Sequence, residues 1–124
     1  MALVLTIGGM AWTQHHGGHD TMTAADIQKM IEDMMPKASE PASTRAFKEA
    51  HMKMMKGMHV PFTGNANVDF MRGMIPHHQG AIDMAKVVLA HGTDPEIKAL
   101  AQKIIDDQTR EIAQMEAWLK NNAK

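Results

Sequence analysis

The sequence predicts an all-α fold in which four helices form one domain behind a flexible N-terminal tail. From Thr23 onward, apolar residues recur at helical spacing, with no sustained apolar and polar alternation and no tight turn between apolar runs. Capping residues, prolines and glycines divide this stretch into four segments. A length of 124 residues is enough for one domain with a buried core and too short to favour two.

The first two helices are bounded by caps and prolines. Thr23 is expected to cap a helix that runs to about Met35, because the proline that follows cannot continue it. A second helix begins after Pro41 and runs to about Met58. A loop that contains glycine and proline ends it.

The third helix is expected to begin at a cap on Asn65 or Asn67 and to end at His91. Pro76 should kink it in its first turns and free a backbone carbonyl. Gly73 and Gly80 are costly inside a helix, so we expect them to let a neighbouring helix come close.

The fourth helix is expected to begin with a capping box of Thr93 and Glu96 and to end near Asn121. The short connection predicts that the last two helices form an antiparallel hairpin. Glu111 and Gln108 fall within the apolar stripe of this helix, where a polar group needs a partner.

The chain begins with an apolar run, ALVLTIGGMAW, which is too short to span a bilayer. Residues 1–11 are interpreted as the remnant of a signal peptide cut after Ala11, although the usual positively charged start is missing. Met1 would then be an internal start, or the sequence is truncated upstream. The alternative is an N-terminal strand or a buried tail. Residues 12–22 are expected to form a flexible tail with three weaker candidate ligands for Cu(II) or Zn(II), His15, His16 and His19.

The composition favours a soft metal. The net charge is −1 and no basic stripe is present, which argues against nucleic acid as a partner. The chain has no cysteine but 14 methionines and 8 histidines. Thioethers with imidazoles are ligands that suit copper, above all Cu(I). The alternatives are that methionine fills gaps in the core or forms an adaptable face for a partner protein.

Candidate ligands on the second helix share one narrow face, which we expect to point inward. His51 lies one turn from several thioethers on this face. Met52 lies near its edge, and His59 starts the loop. The members of the face are Phe47, His51, Met54, Met55 and Met58.

Candidate ligands on the third helix fall on two faces. Met71, Met74 and His78 stand on one face at spacings of three and four, so they can converge on one ion. His77 and Met84 project from a neighbouring face and would serve a second site or face solvent.

The antiparallel hairpin places Glu111 near the start of the third helix. Glu111 or Gln108 is therefore predicted to orient one of the histidines of this helix without binding the metal itself. The alternative is a salt bridge from Glu111 to Arg72 at the edge of the bundle.

The run from Asp69 to Leu119 contains HHQGAIDMA, a DPEI helix start and an EIAQMEAWL ending. With the preceding HMKMMKGM, it closely resembles the domain of unknown function 305 family, which includes periplasmic CopM-like copper-binding proteins. The resemblance implies a ferritin-like helical bundle, export, and binding of copper or silver. The family's motif residues fall on Met71, Met74, His77, His78 and Met84, with the methionine-rich stretch at Met52, Met54, Met55 and Met58.

The sequence thus predicts that residues 23–124 form a helical metal-binding domain that sequesters or transfers Cu(I), and by resemblance Ag(I), outside the cytoplasm. A copper donor or acceptor protein would be its partner in transfer, and no membrane insertion is expected after processing. A site completed between two chains stays open. A partner-binding helical module is the second hypothesis. A di-iron enzyme is disfavoured because no Glu-x-x-His pair occurs, so the chain is predicted not to be an enzyme.

Overall fold

The computed structural model describes residues 22–123 as an all-α bundle of four helices. They are α1, Ala24–Met34; α2, Ala42–Met58; α3, Ala66–His91; and α4, Pro95–Asn122. This confirms the all-α, four-helix prediction. The predictions for the signal remnant and for the histidines of the tail fall on residues 1–21, which lie outside the described residues.

The caps explain where the helices begin. The Thr23 hydroxyl accepts from the backbone N–H of Asp26, and the Asp26 carboxylate accepts in return from the Thr23 N–H. Asn65, one of the two predicted caps, accepts at the start of α3. The cap predicted at Thr93 is wrong, because Asp94 accepts from the first N–H groups of α4 instead. Its carboxylate also interacts favourably with the positive end of the helix dipole.

Helix α3 is the centre of the fold. His78 contacts Glu111 on α4, whereas Gly80 lies against Met54 on α2. Two residues along a helix are rotated by about 200° from each other. Therefore α2 and α4 pack on opposite sides of α3. The buried apolar residues are Ala50, Val68, Ile82, Ala85, Val87, Ala101 and Met115.

Glycine lets α2 approach α3 closely. A Cβ atom on Gly80 would lie 2.5 Å from the Met54 sulfur, and one on Gly57 would lie 2.9 Å from the Pro76 Cβ. Gly73 does not have the predicted role, since a Cβ there would meet nothing within 4 Å. Pro76 lies inside one continuous helix, near its middle and not in its first turns. Its ring packs at the crossing with α2.

The face of α2 that was predicted to point inward does not do so. Phe47, Met55 and Met58 are exposed, as is His51, whereas Met54 lies against Gly80 of α3. The side that packs on α3 carries small residues such as Ala50 and Gly57, which allow the backbones to come close. Close approach along these residues leaves the bulky face outside.

An ion pair fastens α2 to α3 beside this crossing. Lys53 Nζ lies 2.7 Å from Asp83 Oδ2, and the Gln79 amide donates to Asp83 Oδ1 at 2.9 Å. Burial raises the pKa of Asp83, but the hydrogen bonds from Lys53 and Gln79 outweigh it, so the pKa lies below its ordinary value. The carboxylate therefore stays charged in the folded state.

Helix α1 is packed less closely than the other three helices. It contains no buried residue, and its apolar Ile27, Met30 and Ile31 are exposed. Lys48 of α2 donates to the Met35 carbonyl at 3.3 Å just after α1 ends. Within residues 22–123, no helix is both long and apolar enough to cross a membrane.

Candidate metal site

His78 is the best-positioned imidazole on the predicted ligand face of α3. Its Nδ1–H donates to the Met74 carbonyl at 2.9 Å, because a carbonyl oxygen can only accept. Its Nε2 lies 2.6 Å from Oε2 of Glu111 on α4. The backbone contact fixes the ring orientation and makes Nε2 the nitrogen that a metal could use.

Both ring nitrogens of His78 face acceptors, the Met74 carbonyl at Nδ1 and the Glu111 carboxylate at Nε2. An ion that binds Nε2 must therefore displace the Glu111 carboxylate. The room for this exists, since 53% of the Glu111 side chain is exposed, against 12% for His78.

The predicted contact between Glu111 and a histidine of α3 is therefore present, and it involves His78. The competing salt bridge is not formed, because Glu111 pairs with His78 and not with Arg72. The prediction that Glu111 lies within the inward-facing apolar stripe of α4 is wrong. The carboxylate lies at the rim of α4, where water compensates the charge that a buried site would leave unpaired. Gln108 is half-buried, and its orienting role stays a prediction.

Met71 and Met74 lie on the same face of α3 as His78, two turns and one turn before it, and both side chains are half-buried. Neither is packed into the core, unlike Met115 on α4. The chemistry available along this face is a single imidazole with thioethers one and two turns away. That set suits a soft monovalent ion better than a hard cation.

His77 has different surroundings from His78. It is exposed, and its ring lies 6.1 Å from the His78 ring between centroids, at 61° between the planes. Met84 is half-buried on the same side of α3 as His77. The structure thus separates the two adjacent histidines, as their helical positions predict.

Met54 of α2 cannot join Met71, Met74 and His78 of α3 on one ion. Met54 lies on the Gly80 side of α3, which is opposite the His78 side. Met52 is half-buried, and His59 follows the end of α2 in an exposed position. The sequence-predicted set therefore divides into separate groups on the two sides of α3.

Met34 is a residue that sequence reasoning missed. It lines a groove between α1 and α2 together with His51 and Met55, two of the predicted ligands. Its place on the apolar stripe of α1 was visible in the sequence, but nothing there indicates which helix that stripe meets. Within residues 22–123, no group of three or more His, Asp or Glu side chains is arranged to hold a metal ion.

Comparison with known proteins places the chain in a family. Part of it is similar to a viral protein, Uncharacterized protein L153 of Acanthamoeba polyphaga mimivirus, with 46% identity over 50 residues. That alignment covers 40% of this chain and 33% of the viral protein, so the chain matches about a third of that relative's length. The family profile for a domain of unknown function, DUF305, matches residues 6–119. The match extends over most of the sequence, and the protein therefore belongs to the DUF305 family.

Proposed function

We propose that this protein binds Cu(I), and Ag(I) by the same chemistry, through methionine and histidine side chains. Its role would be to sequester or transfer the metal outside the cytoplasm, as in the CopM-like members that its motifs resemble. The function is one of binding, and copper is its cargo. A copper donor or acceptor protein would complete the transfer.

The placement of the methionines carries the proposal. Of the 14 methionines, Met1 and Met10 precede the described residues, and only Met115 among the other twelve is buried. A chain that used methionine to fill its core would bury more of them. The exposed and half-buried thioethers are accessible to an ion, and they need no deprotonation to bind it.

His78 supports a site on α3. Its ring is held by the Met74 carbonyl with Nε2 toward Glu111, and the thioethers of Met71 and Met74 lie on the same face. A metal bound there would gain an imidazole whose orientation is already fixed. Because an imidazole binds a metal only through a deprotonated nitrogen, affinity at this site should fall as the pH is lowered, whereas a site made of thioethers alone should not weaken.

The test is an anaerobic Cu(I) titration against a chromophoric competitor. The wild-type chain is expected to hold Cu(I) more tightly than an equivalent mixture of free methionine and histidine. The triple variant Met71→Leu, Met74→Leu, His78→Gln should lose a tightly held ion, while the control Met115→Leu should keep it. Wild-type binding no tighter than the free mixture would overturn the proposal. Unchanged binding by the triple variant would place the ligands on α2 or in the tail.

One observation favours a second candidate function, a helical module that grips a partner protein. Helix α1 presents Ile27, Met30 and Ile31 to solvent, and apolar faces of this kind bind other helices. Replacing methionine by leucine distinguishes the two functions, because leucine keeps the apolar contact but has no thioether to bind a metal. Replacing the exposed and half-buried methionines by leucine should abolish tight metal binding, whereas a docking face should tolerate the change.

A further inference from the structure

The groove between α1 and α2 gathers soft ligands that the α3 site does not use. Met34, in the last turn of α1, lines one side of the groove, and His51 and Met55 of α2 line the other side. The groove has a volume of about 450 Å³. His51 and Met55 are four residues apart, so their side chains lie on the same face of α2, about 5–6 Å apart at Cβ.

The charged groups along this groove already have partners. Asp33 pairs with Lys29 at 3.0 Å and with Lys37 at 3.6 Å. The hydrogen bond and charge of Lys29 hold the pKa of Asp33 below its ordinary value. Lys48 pairs with Glu40 and also donates to the Met35 carbonyl. The uncharged donors left in the groove are two thioethers, one imidazole and the Thr44 hydroxyl, and the hydroxyl is the poorest ligand of these for a soft ion.

This donor set selects the class of ion. Thioethers are weak ligands for hard cations and good ligands for Cu(I) and Ag(I), and a single neutral imidazole completes a three-coordinate site. Phe47 lines the same groove and adds an apolar wall beside these donors. A wall of this kind limits competition from water for a soft ion.

Helix α1 has few contacts that fix its position, and the hydrogen bond from Lys48 to the Met35 carbonyl at its end is one of them. It has 11 residues and buries none of them, and an isolated helix of that length is marginal in water. Its capping box and its Lys29 to Asp33 pair support the helix locally but do not attach it to α2. An ion shared by Met34 and the two ligands of α2 would join the helices.

We propose that this groove is a second soft-metal site, in which Met34, His51 and Met55 bind one Cu(I) or Ag(I) ion and thereby dock α1 onto α2. The inference rests on the proposed function for the class of ion. It adds a site on the side of α3 opposite His78 and gives that site a structural consequence.

The experiment follows each methionine separately while Ag(I), which is inert to air, is added to the full chain. With ¹³C-labelled methionine methyl groups, the signals of Met34 and Met55 are expected to shift together with the His51 ring signals. The signal of Met30, which is on α1 but does not line the groove, should stay in place. Shifts at Met71 and Met74 alone would overturn this inference and leave the proposed function standing. No shift at any methionine would overturn both.

Matched variants test the docking of α1. Met34→Leu should lower the number of tightly bound Ag(I) ions by one, and Met30→Leu should leave it unchanged. In wild type, Ag(I) should slow amide hydrogen exchange throughout α1 at least tenfold, and Met34→Leu should remove this protection. Both variants change an unburied side chain, so each should fold. Equal ion numbers in the two variants, or no change in α1 exchange, would contradict the proposal.

Discussion

At the scale of the residue, the pair of His78 and Glu111 joins a partly enclosed ring to an exposed carboxylate. Only 12% of the His78 side chain is accessible, against 53% of Glu111. An exposed partner contributes little to stability, because water screens its charge and its own freedom is lost on pairing. The main effect of Glu111 is to orient the His78 ring, since its carboxylate and the Met74 carbonyl together hold the ring at a defined angle.

Replacing Glu111 by glutamine should separate these two contributions. The free energy of unfolding should fall by less than about 1 kcal/mol, because the lost ion pair is solvent-exposed. Cu(I) affinity at the α3 site should fall modestly, by about two- to tenfold, because the ring loses a charged partner but keeps its backbone contact. Urea denaturation and competitive titration measure the two effects.

The matched control is Glu116→Gln, which changes an exposed carboxylate further along the same helix. It should alter neither quantity. A Glu111→Gln variant with unchanged Cu(I) affinity and a clear loss of stability would mean that the contact is structural only.

How much of the site the sequence predicts differs from residue to residue. A contact of Glu111 with a histidine of α3 follows from the helical positions and an antiparallel hairpin, both visible in the sequence, but these left His77, His78 and Arg72 open as its partner. The exposure of Glu111 does not follow, because it depends on how far α4 rotates about its own axis. Met34 could not be assigned either, since its neighbours come from a helix pair whose contact the apolar pattern does not specify.

At the scale of the element, the crossing of α2 and α3 depends on Gly80. Gly80→Ala should destabilise the protein by about 1–3 kcal/mol, because the added Cβ would lie 2.5 Å from the sulfur and 2.9 Å from the Cβ of Met54. The second of these atoms is fixed to the backbone of α2, so the helices must move apart. Chemical denaturation monitored by circular dichroism measures the loss.

Gly73→Ala is the control on the same helix, and it should stabilise the protein, whereas Gly80→Ala destabilises it. A Cβ at Gly73 meets nothing within 4 Å, so the variant should gain about 0.5–1 kcal/mol from helix propensity alone. Equal effects at the two positions would show that propensity, and not the approach of α2, governs both.

The pairing of α2 with α3 should also depend on pH through Asp83. Its pKa is lower in the folded than in the unfolded state, so its charge stabilises the fold above the ordinary aspartate pKa of about 4. That contribution is lost as the pH falls through the lower, folded-state pKa. Asp83→Asn should therefore flatten the decline of stability below about pH 4, as measured by urea denaturation at a series of pH values.

Asp106→Asn provides the comparison, because Asp106 is an exposed carboxylate on α4. It should leave the acid dependence close to that of wild type. If the free energy of unfolding of Asp83→Asn falls with acid as steeply as that of Asp106→Asn, the ion pair of Asp83 with Lys53 does not contribute to the pH dependence of stability.

The elements were predictable to different degrees. Helix ends follow from local chemistry such as the Thr23 cap and the proline at the start of α4, which need no tertiary information. The packing face of α2 could not be derived from hydrophobicity. Small residues at Ala50 and Gly57 allow a closer approach than the bulky stripe of Phe47 and Met55, and close approach determined the contact.

At the scale of the whole molecule, α3 is a central helix between α2 and α4, and α1 is attached at one side. Within residues 22–123, the buried residues all belong to α2, α3 and α4. The core of the fold is therefore formed by three helices. Helix α1 contributes no buried residue to this core, so it can open without unfolding the rest. This arrangement separates the α3 site from the groove between α1 and α2, so the two can be tested independently.

A chain that lacks residues 1–35 should keep the fold of the other three helices. Its free energy of unfolding should change by less than about 1 kcal/mol, because none of the removed residues that the structure describes, 22–35, is buried. Circular dichroism during urea denaturation measures this change, and a loss of several kcal/mol would show that α1 packs more tightly than its exposed residues indicate. The shortened chain also tests the two proposed metal sites together. Without Met34 it should lose the ion of the groove, whereas His78, Met71 and Met74 should still bind theirs.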